Sequence, residues 1–141
     1  MNDQTKNFSG IIHRIIADIS YDEAVALHLW SSRLLALRNS PKNGKEKFRE
    51  VIQLTKDVPI LFPLIKRIAF ELKSTGWDDQ SWKSRIGTGA ALWITLMITK
   101  AGAGLAILGG AIAVPLWIVF GSGDKFVKML ISELKSRMPS L

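Results

Sequence analysis

The side chains that most often carry out chemistry in proteins are sparse in this chain of 141 residues. It has no cysteine, which excludes a thiolate nucleophile, a disulfide and a zinc–cysteine site. Its two histidines, His13 and His28, have no metal-ligating neighbour in sequence, so we expect each to be a surface or hydrogen-bonded histidine. Asp78 and Asp79 are adjacent where a helix is predicted to begin, and capping that helix accounts for them better than acid–base catalysis.

The glycine-containing motifs do not complete a nucleotide-binding site. Gly102 and Gly104 lack the third glycine of a dinucleotide-binding fingerprint. The segment 121–125 begins Gly-Ser-Gly, but it lacks both the glycine spacing of a P-loop and the serine or threonine that follows the P-loop lysine. We interpret it as a helix start capped by Ser122 or Asp124. The sequence therefore predicts no catalytic residue, no cofactor-binding residue, no metal ligand and no enzyme activity.

Charge is distributed unevenly along the chain. Residues 1–85 contain 14 of the 19 Lys and Arg residues and 10 of the 12 Asp and Glu residues, whereas residues 86–123 contain one charge, Lys100. The first ten residues are polar and lack the apolar segment of a secretory signal, so we expect the N-terminal part to stay in the cytoplasm. A run of 38 residues with a single charge is the strongest feature of the sequence.

Apolar spacing predicts four short amphipathic helices in the N-terminal part. The first follows a cap at Ser9, the second begins at a capping box of Ser20 and Glu23, and the third begins near Lys45. A fourth follows Pro59, with Pro63 either in its first turn or at a kink, and ends near Gly76. Their predicted core-facing positions include Ile11, Ile12, Ile15, Ile16, Leu27, Trp30, Leu34, Leu37, Phe48, Val51, Ile52, Leu64, Ile65, Ile68 and Leu72. We predict that residues 1–76 form a cytosolic helical domain.

The apolar run predicts a two-helix membrane hairpin. As a helix, residues 101–123 would span about 35 Å and residues 82–99 about 27 Å, against about 30 Å of hydrocarbon. Basic residues flank the run on both sides, so the positive-inside rule places both termini in the cytoplasm and the chain in the inner membrane. Lys100 and Gly104 would form the turn. The fold prediction is all-α: bundle, transmembrane hairpin over 77–123, and a basic amphipathic helix over 124–141.

Small residues recur every four positions in this hairpin, a spacing that lets helix backbones pack closely in lipid. Interface anchors and headgroup contacts are predicted from tryptophans and from basic residues of the last helix. The predicted packing positions are Gly87, Ala91, Gly102, Ala106 and Gly110; the anchors are Trp77, Trp82 and Trp117; the headgroup contacts are Lys125, Lys128, Lys135 and Arg137.

Other interpretations of the same patterns stay open. The apolar run also fits a hairpin covered by amphipathic helices in a soluble or convertible form, and residues 92–99 also fit a buried β-strand. The last helix also fits packing against the N-terminal bundle. A helix-turn-helix over 20–56 would bind nucleic acid, but its basic residues alternate with acidic ones, so nucleic acid is an unlikely partner.

Through Gly87-Thr88-Gly89, Ala101-Gly102-Ala103-Gly104 and Gly109-Gly110, residues 86–123 resemble the glycine-zipper hairpins of pore-forming and membrane-inserting bacterial proteins, including colicin-type domains. This resemblance covers about a quarter of the chain. It implies a self-associating membrane effector or pore-forming subunit whose partners are the lipid bilayer and further copies of the chain. Residues 1–76 would then sense or dock a protein partner. The alternatives are a membrane-anchored adaptor without pore activity and a soluble helical module that binds protein or nucleic acid.

Overall fold

The computed structural model describes residues 3–75 and 109–138, and every regular element within these two ranges is helical. The all-α prediction is therefore confirmed. The α-helices are α1 (Asp3–Ala17), α2 (Tyr21–Arg38), α3 (Gly44–Lys56), α4 (Phe62–Lys73), α5 (Ala113–Phe120) and α6 (Asp124–Arg137). Short 3-10 helices, Pro59–Leu61 and Gly109–Ile112, precede α4 and α5.

Local sequence signals explain how α2, α3 and α4 begin. The predicted capping box is present at α2: the Glu23 N–H donates to Ser20 Oγ at 3.1 Å, and the Ser20 N–H donates to Glu23 Oε1 at 3.0 Å. The Glu46 N–H donates to the Asn43 side chain at the start of α3. Pro63 lies in the first turn of α4, where its missing N–H has no intrahelical partner in any case.

Two predicted caps are wrong. Helix α1 begins at Asp3, so Ser9 lies within the helix rather than at its start. The N-cap of α6 is Gly123, without a side-chain hydrogen bond, so neither Ser122 nor Asp124 caps that helix. In both places a contact with another part of the fold outweighs the local signal: Phe8 of α1 is buried against α5 and α6, and the Ser122 hydroxyl pairs with Trp117.

The core is continuous across the two described ranges. Helix α5 contacts α2, α3, α4 and α6, while α1 lies between α4 and α6 and contacts both. The predicted positions Leu27, Trp30, Leu34 and Leu37 all face this core, as do Phe48, Val51 and Ile52 of α3. Apolar residues of α5 and α6 belong to the same buried cluster as those of α1–α4.

The predicted hairpin lies mainly outside the described residues. Its last part, residues 109–123, is described and packs inside the core formed with residues 3–75. Within the described ranges, none of the helices combines the length and the apolar character that crossing a bilayer requires. Helices α5 and α6, on either side of residue 123, contact each other, and both contact α2. The division of the chain into domains stays a prediction.

Candidate functional site

The centre of the molecule is a helix with no polar face. Residues 111–119 are all buried, and the eight residues of α5 carry no charge. An amphipathic helix buries one stripe and hydrates the other, whereas a helix that is apolar all round needs cover on every side. Helices α2, α3, α4 and α6 supply that cover, and we call these four helices together with α1 the sheath.

Aromatic side chains join α5 to the first and last helices of the sheath. Trp117 is 2% exposed, and the centroid of its ring lies 5.9 Å from that of Phe8 and 5.7 Å from that of Phe126. The Phe8 and Phe126 rings meet edge to face at 5.3 Å. Edge-to-face pairs add about 0.5–1.5 kcal/mol each to the effect of burial. In this structure Trp117 lies in the core, so its predicted role as an interface anchor would require α5 to leave the sheath.

The turn between α5 and α6 is built around Trp117. The N–H groups of Gly121 and Gly123 donate to the Trp117 carbonyl at 2.8 and 3.2 Å. The Trp117 indole N–H donates to Ser122 Oγ at 3.1 Å, which satisfies the one polar atom of that side chain. A Cβ at Gly123 would lie 2.8 Å from the Trp117 ring, so this close approach requires glycine.

Arg38, at the end of α2, caps the C-terminal end of α5. Its Nη1 donates to the carbonyls of Ile118 at 2.9 Å and Gly121 at 2.6 Å, and its Nη2 lies 3.7 Å from Asp124 Oδ1. The last carbonyls of a helix have no intrahelical donor, and the helix dipole is negative at that end. The half-buried guanidinium therefore satisfies both the hydrogen-bonding and the charge requirements of the α5–α6 turn.

Helix α6 turns its apolar side inward and its basic side to solvent. Phe126, Val127, Leu130 and Leu134 are buried, so the alternative in which this helix packs against the bundle describes the structure. The predicted headgroup residues Lys125, Lys128, Lys135 and Arg137 are exposed. Of these four, Arg137 forms an ion pair with Glu133 at 3.2 Å, and the three lysines form no hydrogen bond or ion pair with a described residue.

The two histidines have different environments. His13 Nε2 lies 3.0 Å from Glu133 Oε1 and joins α1 to α6, a contact between residues 120 positions apart that local sequence spacing does not reveal. His28 Nε2 is buried without a partner among the described residues, as is Ser31 Oγ one turn later on α2. His28 as a whole is half-buried, so it lies partly at the surface.

Sequence patterns did not indicate a groove that lies between α2 and α3. One end is a cavity of about 410 Å³ floored by Ala36, Leu37 and Leu54, and it adjoins a second of about 160 Å³ beside Leu29 and Val58. Arg33 lines both cavities and forms no hydrogen bond or ion pair with a residue that the structure describes. The sequence does contain a signal for this groove, because Leu29 and Ala36 lie on the face of α2 opposite its buried stripe. That signal is weak, since single exposed apolar residues are common on protein surfaces.

The other predicted site residues fall outside the described ranges. The backbone of Gly110 lies in the 3-10 helix before α5. The remaining packing, turn and anchor predictions lie at residues 76–108, where nothing tests them: Gly87, Ala91, Lys100, Gly102, Gly104, Ala106, Trp77 and Trp82. Over residues 3–75 and 109–138, no group of three or more potential metal ligands is found.

Comparison with known proteins suggests no function for this chain, so a functional proposal must be argued from the geometry of the structure. No protein-family model, no curated protein and no solved structure matches this chain.

Proposed function

We propose that the protein is a membrane-acting effector whose sheath covers the end of its apolar run until the chain meets a bilayer. The observation that carries this proposal is the burial of α5 by α2, α3, α4 and α6, of which the last three are amphipathic. Helix α5 is the C-terminal end of the 38-residue run that contains only Lys100. The proposal keeps the predicted hairpin over 77–123 as the inserted form, with both termini on the cytoplasmic side of the inner membrane.

The energetics of transfer support such a conversion. Burying a Leu, Ile or Val side chain is worth about 1.5–3 kcal/mol whether the apolar surroundings are a protein core or lipid. Helix α5 therefore loses little hydrophobic stabilisation when it moves from the sheath into hydrocarbon. The departure of α5 exposes the apolar inner faces of the sheath helices to water, and these faces must then be buried elsewhere. An amphipathic helix achieves this by lying in the membrane interface with its apolar face down.

The exposed lysines of α6 are suited to the first encounter with an anionic leaflet. Each Lys or Arg held near such a surface adds about 1 kcal/mol of attraction. Lys125 and Lys128 lie in the first turns after the α5–α6 connection, so their approach brings α5 to the membrane surface. Self-association through the small-residue positions would then assemble copies of the hairpin, with the bilayer and further copies as partners.

Dye release from vesicles tests the proposal with the full chain. We expect release from vesicles of phosphatidylglycerol and phosphatidylcholine, and a several-fold lower rate for the Gly102→Leu/Gly110→Leu variant, whose larger side chains block close helix packing. Alkaline carbonate extraction of cell membranes provides the second measurement, and an integral chain stays in the pellet. Equal release by the two proteins, or full extraction by carbonate, contradicts the proposal.

A chemical link between α1 and α6 separates opening of the sheath from simple binding. Because the chain has no cysteine, the His13→Cys/Glu133→Cys variant offers two thiols at positions whose side chains now touch. Linking them with a short bismaleimide holds α6 against α1, and we expect release to fall several-fold while vesicle binding persists. The Lys42→Cys/Glu50→Cys variant joins two other ion-paired residues and is the matched control, because its link leaves α6 free.

The groove favours a second function, docking of a protein helix by a membrane-anchored adaptor without pore activity. Its apolar floor and Arg33, which has no ion-pair partner among the described residues, fit an amphipathic helix that carries a carboxylate at its centre. Fluorescence anisotropy with a designed Leu/Glu amphipathic peptide and its Leu/Lys counterpart tests this function. We expect the wild-type protein to prefer the acidic peptide and Arg33→Glu to reverse that preference. No preference in either protein rejects the groove as a docking site.

A further inference from the structure

The outward side of α4 carries an exposed aromatic residue in a basic setting. Pro63, Lys66, Phe70 and Lys73 follow one another at spacings of three and four residues, so they lie on one face, and all four are exposed. We call them the α4 stripe. Phe70 is 76% exposed, more than any other large apolar side chain that the structure describes. At this exposure the Phe70 ring contributes little to the core and can contact a partner outside the bundle.

The carboxylates that the structure describes on α1, α4 and α6 are paired with basic residues. Glu71 of α4 accepts from Arg14 at 2.8 Å, and Asp18 lies 3.6 Å from Arg67. On α6, Glu133 contacts His13 and Arg137, and Asp124 pairs with Arg38. On α1, α4 and α6, every carboxylate with a described side chain thus has a cationic or histidine partner.

The lysines of the same three helices, in contrast, have no ion-pair partner among the described residues. Lys66 and Lys73 flank Phe70 and form no hydrogen bond or ion pair with a described residue. The same holds for Lys6 on α1, which lies between α4 and α6. Among the described residues of α1 and α4, arginines form the ion pairs and lysines face solvent, so Phe70 lies between two lysines that have no described acidic partner.

We infer that the α4 stripe is a docking surface for an anionic bilayer, with Phe70 entering the headgroup region between Lys66 and Lys73. An aromatic ring gains hydrophobic stabilisation on leaving water, and each neighbouring lysine adds attraction to anionic lipid. The stems of the two lysines can lie along the apolar boundary while their ammonium groups reach the phosphates. The α4 stripe also ends only a few residues before the position 76 at which the chain continues toward the apolar run.

This inference rests on the proposed function in taking a bilayer as the target, and it adds a second membrane-contacting surface, on α4, to the lysines of α6. A site-specific fluorophore tests it in the cysteine-free chain. The Phe70→Cys variant labelled with NBD is titrated with phosphatidylglycerol–phosphatidylcholine vesicles and with phosphatidylcholine vesicles alone. We expect a blue shift and a several-fold rise in emission with the anionic vesicles only. The labelled Leu29→Cys variant, exposed on α2, is the control and is expected to change little.

Charge reversal gives an independent measurement by vesicle cosedimentation. The Lys66→Glu/Lys73→Glu variant is expected to bind anionic vesicles at least about tenfold more weakly than wild type, since it loses two favourable charges and gains two repulsive ones. The Lys45→Glu/Lys56→Glu variant has the same net charge change on α3 and is expected to lose about threefold or less. Circular dichroism establishes that all variants fold.

The outcomes distinguish the inference from the proposed function. Equal losses for the two charge-reversal variants, or vesicle binding with no emission change at position 70, overturn the inference. If dye release persists in that case, the proposed function still stands. If the label at position 70 responds to anionic vesicles but no dye is released, the docking surface is supported and the effector function fails.

Discussion

Helices α5 and α6 are neighbours in sequence, yet they differ sharply in their exposure to solvent. Helix α5 has no charge and is buried on every side, whereas α6 buries four apolar residues and exposes its lysines. Only residues 121–123 separate them, and those residues fold back onto Trp117. The contrast shows that α6 covers α5 and keeps its own hydration while doing so. Substitutions that act on one helix and spare the other test this division.

The largest expected effect is at the centre of α5. Trp117→Ala removes a fully buried ring that contacts Phe8 and Phe126, and we expect a loss of about 3–5 kcal/mol in the free energy of unfolding. The matched change on α6 is Ser132→Ala, at an exposed position, which is expected to stay within about 0.5 kcal/mol of wild type. Urea unfolding measures both. Similar losses for the two variants would contradict the central position of α5.

The next effect is at the cap of α5. Arg38→Ala leaves the Ile118 and Gly121 carbonyls without their donor, and hydrogen bonds to charged groups are worth about 1.5–3 kcal/mol. Arg38→Lys keeps the charge but cannot reproduce the guanidinium geometry, so we expect it to recover only part of the loss. Thermal unfolding followed by circular dichroism compares the three proteins. Full recovery by lysine would show that charge alone matters at this position.

A smaller loss is expected at the turn between the two helices. Gly123→Ala places a methyl group 2.8 Å from the Trp117 ring and 2.9 Å from Ile118 Cα, and overpacking of this kind costs about 1–3 kcal/mol. Gly44→Ala is the control, because nothing lies within 4 Å of its added Cβ, and α3 should gain a few tenths of a kcal/mol. Opposite signs for the two variants are expected in urea unfolding. A neutral Gly123→Ala would show that the Trp117 ring moves aside.

The smallest loss of stability is expected at the capping box of α2, the contact that the sequence alone predicted. Ser20→Ala removes the hydroxyl of the α2 capping box and should cost about 1 kcal/mol. Because this contact is local, the Ser20→Ala/Trp117→Ala double variant should lose the sum of the single losses within about 0.5 kcal/mol. Denaturant midpoints and slopes measure the sum. A clearly non-additive result would mean that α2 and α5 are coupled over the length of the bundle.

Features set by neighbouring residues were predictable, and those set by distant ones were not. The Ser20–Glu23 cap, the apolar stripe of α2 and the apolar face of α6 follow from spacing of three and four residues. The first turns of α1 contain no apolar stripe that would predict a helix there. Phe8, in this part of α1, packs against the rings of Trp117 and Phe126, which are more than 100 positions away in sequence. Ser9 therefore resembled a cap although the helix passes through it.

The position of α5 shows a deeper limit. The hydrophobicity of residues 113–120 predicts that they avoid water, but a lipid bilayer and a protein core satisfy that preference equally well. The choice depends on whether enough amphipathic surface exists to cover the helix, and this is a property of the described helices taken together. Arg38 shows the same limit, because the carbonyls that it caps are 80 and 83 residues away.

One buried hydrogen bond has a consequence for the groove between α2 and α3. Trp30 Nε1 donates to Thr55 Oγ1 at 3.1 Å, and both residues are buried. If α3 slid along α2 by one turn, about 5.4 Å, both polar atoms would be left unsatisfied in the core at about 1–3 kcal/mol each. The bond therefore fixes the register of the two helices, and with it the distance between the two cavities that form the groove.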